Sequence, residues 1–146
     1  MTAKKAAKKS TKSSSESGDR NFENRWHPAI KKEGFTQVSN FFLENYHRLK
    51  PYPLTHGEAM FVIHLMQYKW SDAAPFPAYK TIAVRMVVSH KTARRLAASL
   101  EAKKYLHREM RKGATNRFHF TKLMEALVDL KSEQLIANKG SRKTIK

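Results

Sequence analysis

The feature that most constrains the fold is one stretch, residues 79–120, in which two helical patterns and a hairpin pattern follow one another closely. The apolar side chains of 79–86 recur at i, i+3, i+4 and i+7, the spacing of one helical face. Ser89 is a natural N-cap for a second helix running to about Lys104. Beyond it, Gly113 separates two short segments of strand character. The pattern predicts two helices joined by a tight turn and followed by a β-hairpin.

The positive charge of the chain is concentrated on this same stretch. Residues 79–120 carry 11 Lys and Arg against two Glu, a local charge of +9 out of a total of +17. Residues 1–20 and 131–146 contribute +4 each, whereas 21–78 and 121–130 together are neutral. A charge confined to one supersecondary unit is typical of a phosphate-contacting surface, so it predicts double-stranded DNA as the partner. The alternative is a solvated face that only aids solubility.

The composition argues against several other classes of protein. The chain has no Cys, which rules out a disulfide framework and a Cys-based zinc site. The seven His share no metal-ligand spacing, and neither a phosphate-cradling glycine loop nor a nucleophile elbow is present. We therefore expect no enzyme activity, no metal, no cofactor and no small-molecule ligand. No apolar run reaches membrane-spanning length and no signal peptide follows Met1, so we expect a cytoplasmic, nucleoid-associated protein.

The chain reads as one domain with basic tails. Residues 1–20 lack the apolar content needed to offset ordering entropy, which predicts a disordered N-terminal arm. A DNA-binding domain is expected over 21–130, with its last helix extending to about residue 137, and a disordered basic tail over 138–146. The arm would either touch the DNA backbone nonspecifically or remain a plain solvated tail. The residues expected to make those nonspecific contacts are Lys4, Lys5, Lys8, Lys9 and Lys12.

Upstream of the basic stretch the sequence predicts the core. Residues 34–38 alternate and favour a short strand, and Asn40 is expected to cap the next helix. Thr55 and Glu58 have the spacing of a capping box. The helix that they open, to about Tyr68, is apolar nearly all round, which predicts the central helix of the core.

The helix after Ser89 divides into an apolar and a basic face at about 100° per residue. Ala93, Leu96, Ala97 and Leu100 fall on the side expected to pack on the core. The basic residues fall on the other side, in the first two turns, which is the part of a recognition helix that enters the major groove. The DNA contacts predicted on this helix are Ser89, His90, Lys91, Arg94 and Arg95.

The hairpin has the character of a DNA-binding wing. Its strands are expected over 105–110 and 117–120, where Phe118 and Phe120 alternate with Arg117 and His119. One face would pack inward and the other would present cations to phosphates or to the minor groove. The predicted wing contacts are Arg108, Arg111, Lys112 and Arg117. The alternative is an exposed charged hairpin that binds nothing.

The last helix carries an apolar stripe that must be buried somewhere. Thr121 is a candidate cap, and the stripe comprises Leu123, Leu127 and Leu130. The helix either folds back on residues 59–66 or pairs with a second copy of the chain. We favour pairing slightly, because the helix is longer than a cap on the hairpin needs to be. The sequence therefore predicts a possible homodimer.

Several segments resemble the winged helix-turn-helix family common in bacterial and phage proteins. They read FPAYKTIA at 76–83, VSHKTARR at 88–95, LEAKKYL at 100–106 and TNRF at 115–118. The resemblance implies a mainly α (α+β) fold, a winged helix-turn-helix with a two-stranded basic wing and an added C-terminal helix. Three positions depart from the family pattern: Val87 and Lys104 replace turn glycines, and Ala78 replaces a frequent Ser cap.

Segments 34–40 and 54–58 are similar to the start of phage and plasmid replication-initiator DNA-binding domains. The leading hypothesis is a sequence-specific duplex-DNA binder of a bacterial mobile element or phage, acting in replication initiation or its regulation. A transcriptional repressor with the same fold is the first alternative, because fold does not determine function. An RNA-binding protein or a protein-assembly adaptor is the second.

Overall fold

The computed structural model describes residues 25–69 and 73–143. The chain divides into two units, one up to Phe35 and one from Thr36 onward. The described part of the first unit contains α1, Pro28–Lys31, at whose start His27 Nδ1 accepts a hydrogen bond from the Ala29 amide at 3.1 Å. The predicted arm over 1–20, with its five lysines, and the predicted domain start at residue 21 lie outside the described residues.

The second unit is mainly helical and has a small antiparallel sheet, as predicted at the level of fold class. Its elements are α2 (Asn40–Asn45), a short 3-10 helix (Tyr46–Arg48), α3 (His56–Met66), α4 (Tyr79–Met86), α5 (His90–Ala102), β1 (His107–Glu109), β2 (Arg117–His119) and α6 (Thr121–Lys143). Within the described ranges, no helix combines the length and the apolar character needed to cross a bilayer.

Helix α3 is the centre of the core, as predicted. Thr55 Oγ1 accepts from the Glu58 amide at 3.2 Å and Glu58 Oε1 accepts from the Thr55 amide at 3.1 Å, which completes the expected capping box. Phe61 and Leu65 are fully buried. The helix ends at Met66, slightly before the predicted end at Tyr68.

Helices α4 and α5 are joined by a tight turn in which a residue other than glycine has the left-handed backbone conformation. Val87 has φ 56°, and the Val88 amide donates to the Ala83 carbonyl at 3.0 Å, closing α4. Ser89 Oγ then accepts from the Thr92 amide at 3.0 Å, so the predicted N-cap of α5 is confirmed. Lys104 likewise has φ 67° after α5. Both substitutions of a turn glycine are accommodated in the conformation that glycine would adopt.

The faces of α5 are as predicted: Ala93, Ala97 and Leu100 are buried. The hairpin pairs His107 with His119, Arg108 with Phe118 and Glu109 with Arg117. Its strands are shorter than predicted, and Gly113 takes φ 72° in the turn between them. Phe118 is buried edge-on against Phe61, with ring centroids 6.2 Å apart, and this contact anchors the hairpin to α3.

Two predictions near the start of the second unit are wrong. Residues 34–38 form no strand, because no neighbouring strand within the described residues offers them a ladder. The cap of α2 is Ser39, whose Oγ accepts from the Phe42 amide at 3.4 Å, and Asn40 is the first helical residue. Ser and Asn are similarly good caps, so the sequence could not distinguish adjacent positions.

The apolar stripe of α6 folds back on its own chain, which corrects the preference for pairing through that stripe. Leu123, Leu127 and Leu130 are all buried in the core of the single chain. Gln134 Nε2 donates to the buried Asn45 Oδ1 at 2.9 Å, which ties α6 to α2. Because one chain already covers the stripe, the stripe is not available to a second copy.

Helix α6 begins at Thr121 and continues to Lys143, beyond the predicted end near 137. Gly140 does not stop it, since a single interior glycine costs only about 1 kcal/mol relative to alanine. The predicted disorder of 138–143 is therefore wrong, and residues 144–146 lie outside the described part of the chain.

Candidate nucleic-acid interface

The outer face of α5 presents cations that are not neutralised. Lys91, Arg94 and Arg95 are exposed, and no carboxylate of the described residues forms an ion pair with them. The Arg94 guanidinium lies 5.8 Å from the centre of the Tyr79 ring. His90 is exposed and meets the same ring edge-on at 6.0 Å. The structure thus brings the basic residues predicted on this helix to one surface.

The hairpin cations differ in how much of their charge is available. Lys112 is exposed in the turn and has no ion pair among the described residues. Arg111 Nε donates to the Thr115 carbonyl at 2.8 Å, and its guanidinium lies 5.1 Å from the Phe76 ring centre. Arg117 Nη1 is 3.9 Å from Glu109 Oε1, a loose pair. Lys112 is therefore the hairpin cation least engaged by the protein itself.

Arg108, predicted to contact DNA, is instead held by the protein. Its Nε donates to Glu101 Oε2 at 2.9 Å and its Nη2 donates to Glu101 Oε1 at 3.2 Å. The hydrogen bond from Arg108 is the main cause that lowers the pKa of Glu101, and the same bond raises the pKa of Arg108. Such a bidentate pair leaves little charge for a phosphate. The geometry gives Arg108 a structural task, and its DNA contact stays a prediction.

A cleft of about 550 Å³ opens between the first turns of α4 and α5 and the hairpin. Tyr79 is at its centre, with its ring edge-on to Phe118 at 5.7 Å. The Tyr79 hydroxyl accepts from Arg108 Nη1 at 3.3 Å and from Asn116 Nδ2 at 3.5 Å. The sequence pattern places Tyr79 on the apolar face of α4 and does not single out Asn116. The sequence alone does not show whether a tyrosine in the first turn of a helix only packs on the core or also accepts hydrogen bonds through its hydroxyl.

The other side of the hairpin carries a histidine pair. His107 and His119 have ring centroids 5.8 Å apart at an interplanar angle of 29°. His119 Nε2 is 2.7 Å from Glu109 Oε2, and this contact is the main cause that lowers the pKa of Glu109. In the described ranges, no group of three or more His, Asp or Glu is arranged to hold a metal ion.

Two sets of hydrogen bonds connect the end of α5 to the residues at and before the start of α3. Tyr105, which follows α5, has a hydroxyl that donates to the Tyr52 carbonyl at 2.5 Å and accepts from the Tyr52 amide at 3.1 Å. Lys103 Nζ donates to Glu58 Oε1 at 2.6 Å and to the Pro53 carbonyl at 2.9 Å. The end of α5 is thereby fixed to the N-terminus of α3.

A compact helical unit that presents a cationic helix and a cationic hairpin side by side is the kind of protein that associates with nucleic acid. Residues 38–138 match the family model of the DnaD N-terminal domain. The match spans more than half of the chain, which therefore belongs to this replication-related family of DNA-binding domains. The search of curated proteins found no significant match.

Proposed function

We propose that this protein is a sequence-specific double-stranded DNA-binding protein that acts in replication initiation or its regulation. The observation that carries the proposal is a row of exposed cations on the outer face of α5, Lys91, Arg94 and Arg95, which like the hairpin cation Lys112 form no ion pair with any described residue. Unpaired cations are the ones free to displace counterions from a phosphate backbone. Membership of a replication-related family supports the biological setting.

In this proposal the second unit is a winged helix-turn-helix. Helix α4, the left-handed turn at Val87 and α5 form the helix-turn-helix, and β1 with β2 forms the wing. Helix α5 enters the major groove with its first two turns, and Lys112 reaches an adjacent phosphate. The wing is stiff enough for this role because Phe118 is anchored on α3.

The remaining parts of the proposal concern chemistry and origin. We propose binding without catalysis, in a cytoplasmic setting and without a cofactor. Origin in a phage or another mobile element rests on the resemblance of 34–40 and 54–58 to replication initiators. The lysines of the N-terminal segment would add affinity for every DNA sequence equally, because they would contact the phosphate backbone and not the bases.

The test has two stages. Affinity of the full chain for duplex DNA is measured across a range of salt concentrations, and the logarithm of the association constant should fall linearly and steeply with the logarithm of salt. Selection of bound sequences from random duplexes should then yield a defined motif. A flat salt dependence, absence of duplex binding at low salt, or stronger competition by RNA at matched salt would contradict the proposal.

We also propose a second copy of the chain as a partner, through a face of α6 different from the one predicted. Val128 and Leu135 are 63% and 53% exposed, and with Met124 they lie within about 40° of helix surface. Lys131 and Lys139 lie about 20° outside the two edges of this face. An antiparallel pair of α6 helices would bury this apolar face. Paired recognition helices would then read two half-sites.

Two substitutions on adjacent residues test this pairing. Val128→Glu should convert a dimer to a monomer in sedimentation without lowering the free energy of unfolding of the monomer. Leu127→Glu, on the buried stripe, should instead lower that free energy by several kcal/mol, about the cost of burying an unpaired charge. A wild-type chain that sediments as a monomer at micromolar concentration would contradict the proposed dimer.

A further inference from the structure

The cleft beside Tyr79 has the lining of an anion site. The lining cations are Lys80, Arg94 and Arg108, and Asn116 adds a neutral donor, whereas the Thr115 hydroxyl already donates to the Phe76 carbonyl. Among the described residues, no Asp or Glu lines the cleft. Glu101, which neutralises Arg108, approaches it through Nε and Nη2 and leaves Nη1 for the Tyr79 hydroxyl. A concave, donor-rich surface without carboxylates has a positive potential and selects a negatively charged ligand.

The hydrogen bonds of the Tyr79 hydroxyl also indicate a negatively charged ligand. A tyrosine hydroxyl can accept hydrogen bonds and donate one. Here it accepts from Arg108 Nη1 and from Asn116 Nδ2, while its own hydrogen has no acceptor among the described residues. Because a cation donates to the phenol oxygen, the remaining O–H is polarised into a stronger donor. The missing partner is an acceptor, and an anionic oxygen suits this site best.

The position of the cleft identifies the source of that anion. It is bounded on one side by α5, which is proposed to enter the major groove, and on the other by the hairpin, proposed to reach the adjacent backbone. A DNA strand that contacts both elements has to pass the mouth of the cleft. Its phosphates are the only anions that such a strand carries.

We propose that the cleft binds one phosphodiester group of the DNA backbone, with the Tyr79 hydroxyl, the Lys80 ammonium and the Arg94 guanidinium as its donors. This inference rests on the proposed duplex binding and adds to it a single phosphate site that sets the position of the strand. Such a contact contributes affinity for every sequence and fixes the register in which α5 meets the bases.

The matched variants are Tyr79→Phe and Tyr52→Phe. Tyr79→Phe keeps the ring that packs on Phe118 and removes the hydroxyl, which is the proposed donor and also the acceptor for Arg108 and Asn116. Tyr52 is half-exposed and does not line the cleft, so its variant controls for loss of a phenol elsewhere. Lys80→Ala, at an exposed position, removes a second proposed donor without removing a packing contact.

The experiment follows backbone amide resonances of the isotope-labelled full chain during two titrations, one with inorganic phosphate and one with a mixed-sequence duplex. Phosphate should shift the Tyr79 and Lys80 amides saturably, and chloride at equal ionic strength should not. Tyr79→Phe should weaken phosphate binding about tenfold, the order expected for a hydrogen bond to a charged group, and Tyr52→Phe should leave it unchanged. Lys80→Ala should weaken it as well.

The duplex titration separates this inference from the proposed function. If the duplex binds and shifts the cleft amides in the wild type, and Tyr79→Phe weakens all duplexes alike, the phosphate site is supported. If the duplex binds while the cleft amides stay in place, the phosphate site is wrong and the proposed function stands. If phosphate binds but no duplex does at low salt, both are wrong, and the cleft takes a free anion instead.

Discussion

Both carboxylate oxygens of Glu101, at the end of α5, accept hydrogen bonds from the guanidinium of Arg108, in the first strand of the hairpin. The Arg108 amide also donates to Glu101 Oε2 at 3.1 Å, so backbone and side chain of one residue share one carboxylate. Nη1 of the same guanidinium reaches Tyr79 in α4. The angle between α5 and the hairpin is therefore set by a polar link as well as by the packing of Phe118.

Glu101→Gln should loosen this link. The amide can keep one hydrogen bond from Arg108 but loses the ionic pair, and both side chains are partly exposed. We expect a loss of about 1 kcal/mol in the free energy of unfolding, measured by urea denaturation. Glu125→Gln, which breaks the exposed pair with Lys122, is the control and should change stability by less. Equal effects of the two variants would show that the Glu101 link does not orient the hairpin.

The buried pair of Glu58 and Lys103 should be more sensitive. Glu58 is 2% exposed, and removing its charge leaves the Lys103 ammonium, 22% exposed, without its counterion. We expect Glu58→Gln to cost about 3 kcal/mol, the lower end for a broken buried pair, since Lys103 retains some contact with water. Glu133→Gln in the exposed pair with Lys50 should cost nearly nothing. A Glu58→Gln loss as small as that of the control would contradict the structural role of the pair.

Stability should fall on acidification in two steps. Burial, aided by nearby Arg85, lowers the pKa of His64 below its ordinary 6.5. As the pH falls, His64 is therefore protonated at a higher pH in the unfolded chain than in the folded chain. The free energy of unfolding decreases as the pH falls below about 6.5. Burial alone would raise the pKa of Glu58, but hydrogen bonds from Lys103 and Thr55 outweigh it and leave the pKa below 4.5. The Arg108 bond lowers the pKa of Glu101 likewise, so a second loss follows below about 4.5.

Urea denaturation at a series of pH values measures both steps. Each proton accounts for at most about 1.4 kcal/mol per pH unit, so the slope reports how many groups titrate. His64→Asn should remove the first step and leave the second, whereas Glu58→Gln should reduce the second. A chain whose stability rises between pH 7 and pH 5 would be inconsistent with a lowered His64 pKa.

The sequence predicted best those features that depend on neighbouring residues. The caps at Thr55 and Ser89 are formed by groups three residues apart, so residue type and spacing suffice to predict them. The strand over 34–38 was wrong because a strand needs a partner, and alternation alone does not supply one. The fold-back of α6 brings Gln134 into hydrogen-bond contact with Asn45, which is 89 residues away in the chain. No local pattern indicates such a contact.

In the candidate site, too, the sequence predicted the features that depend on neighbouring residues and missed the contacts between distant ones. The outward direction of Lys91 and Arg95 follows from helical periodicity once Ser89 is known to begin the helix. The engagement of Arg108 was not predictable from charge, because a count of cations does not reveal which of them a carboxylate already neutralises. The Tyr79 hydroxyl was missed because its partners come from the hairpin, which meets α4 only in the folded chain.

Val87→Gly should stabilise the protein. A β-branched residue at φ 56° costs about 1–2 kcal/mol, and the Val87 side chain is 90% exposed, so its removal costs little packing. The greater entropy of glycine in the unfolded chain offsets about 1 kcal/mol of that gain. We expect a net rise of about 0.5 kcal/mol in the free energy of unfolding, measured by thermal denaturation. Val84→Gly, also exposed but inside α4, is the control and should destabilise by about 0.5 kcal/mol, since valine is itself a poorer helix former than alanine. A loss at both positions would mean that the Val87 backbone is unstrained.

Arg95→Ala and Lys112→Ala should affect DNA binding in different ways. Arg95 is exposed in the second turn of α5, where a bidentate contact with a base is worth about 1–3 kcal/mol of discrimination. Its removal should therefore lower the preference for selected over random duplexes. Lys112, in the hairpin turn, is proposed to contact phosphate only, so its removal should weaken binding to all duplexes alike and reduce the salt slope by about one.

The comparison requires both variants, each measured on a selected and a random duplex across salt concentrations. Lys122→Ala, at the first turn of α6, removes one exposed cation from outside the proposed interface and should change affinity less than Lys112→Ala. Equal, sequence-independent losses for Arg95→Ala and Lys112→Ala would mean that α5 touches only the backbone. Helix α5 would then position the protein without reading the sequence, and specificity would have to come from the shape and deformability of the DNA.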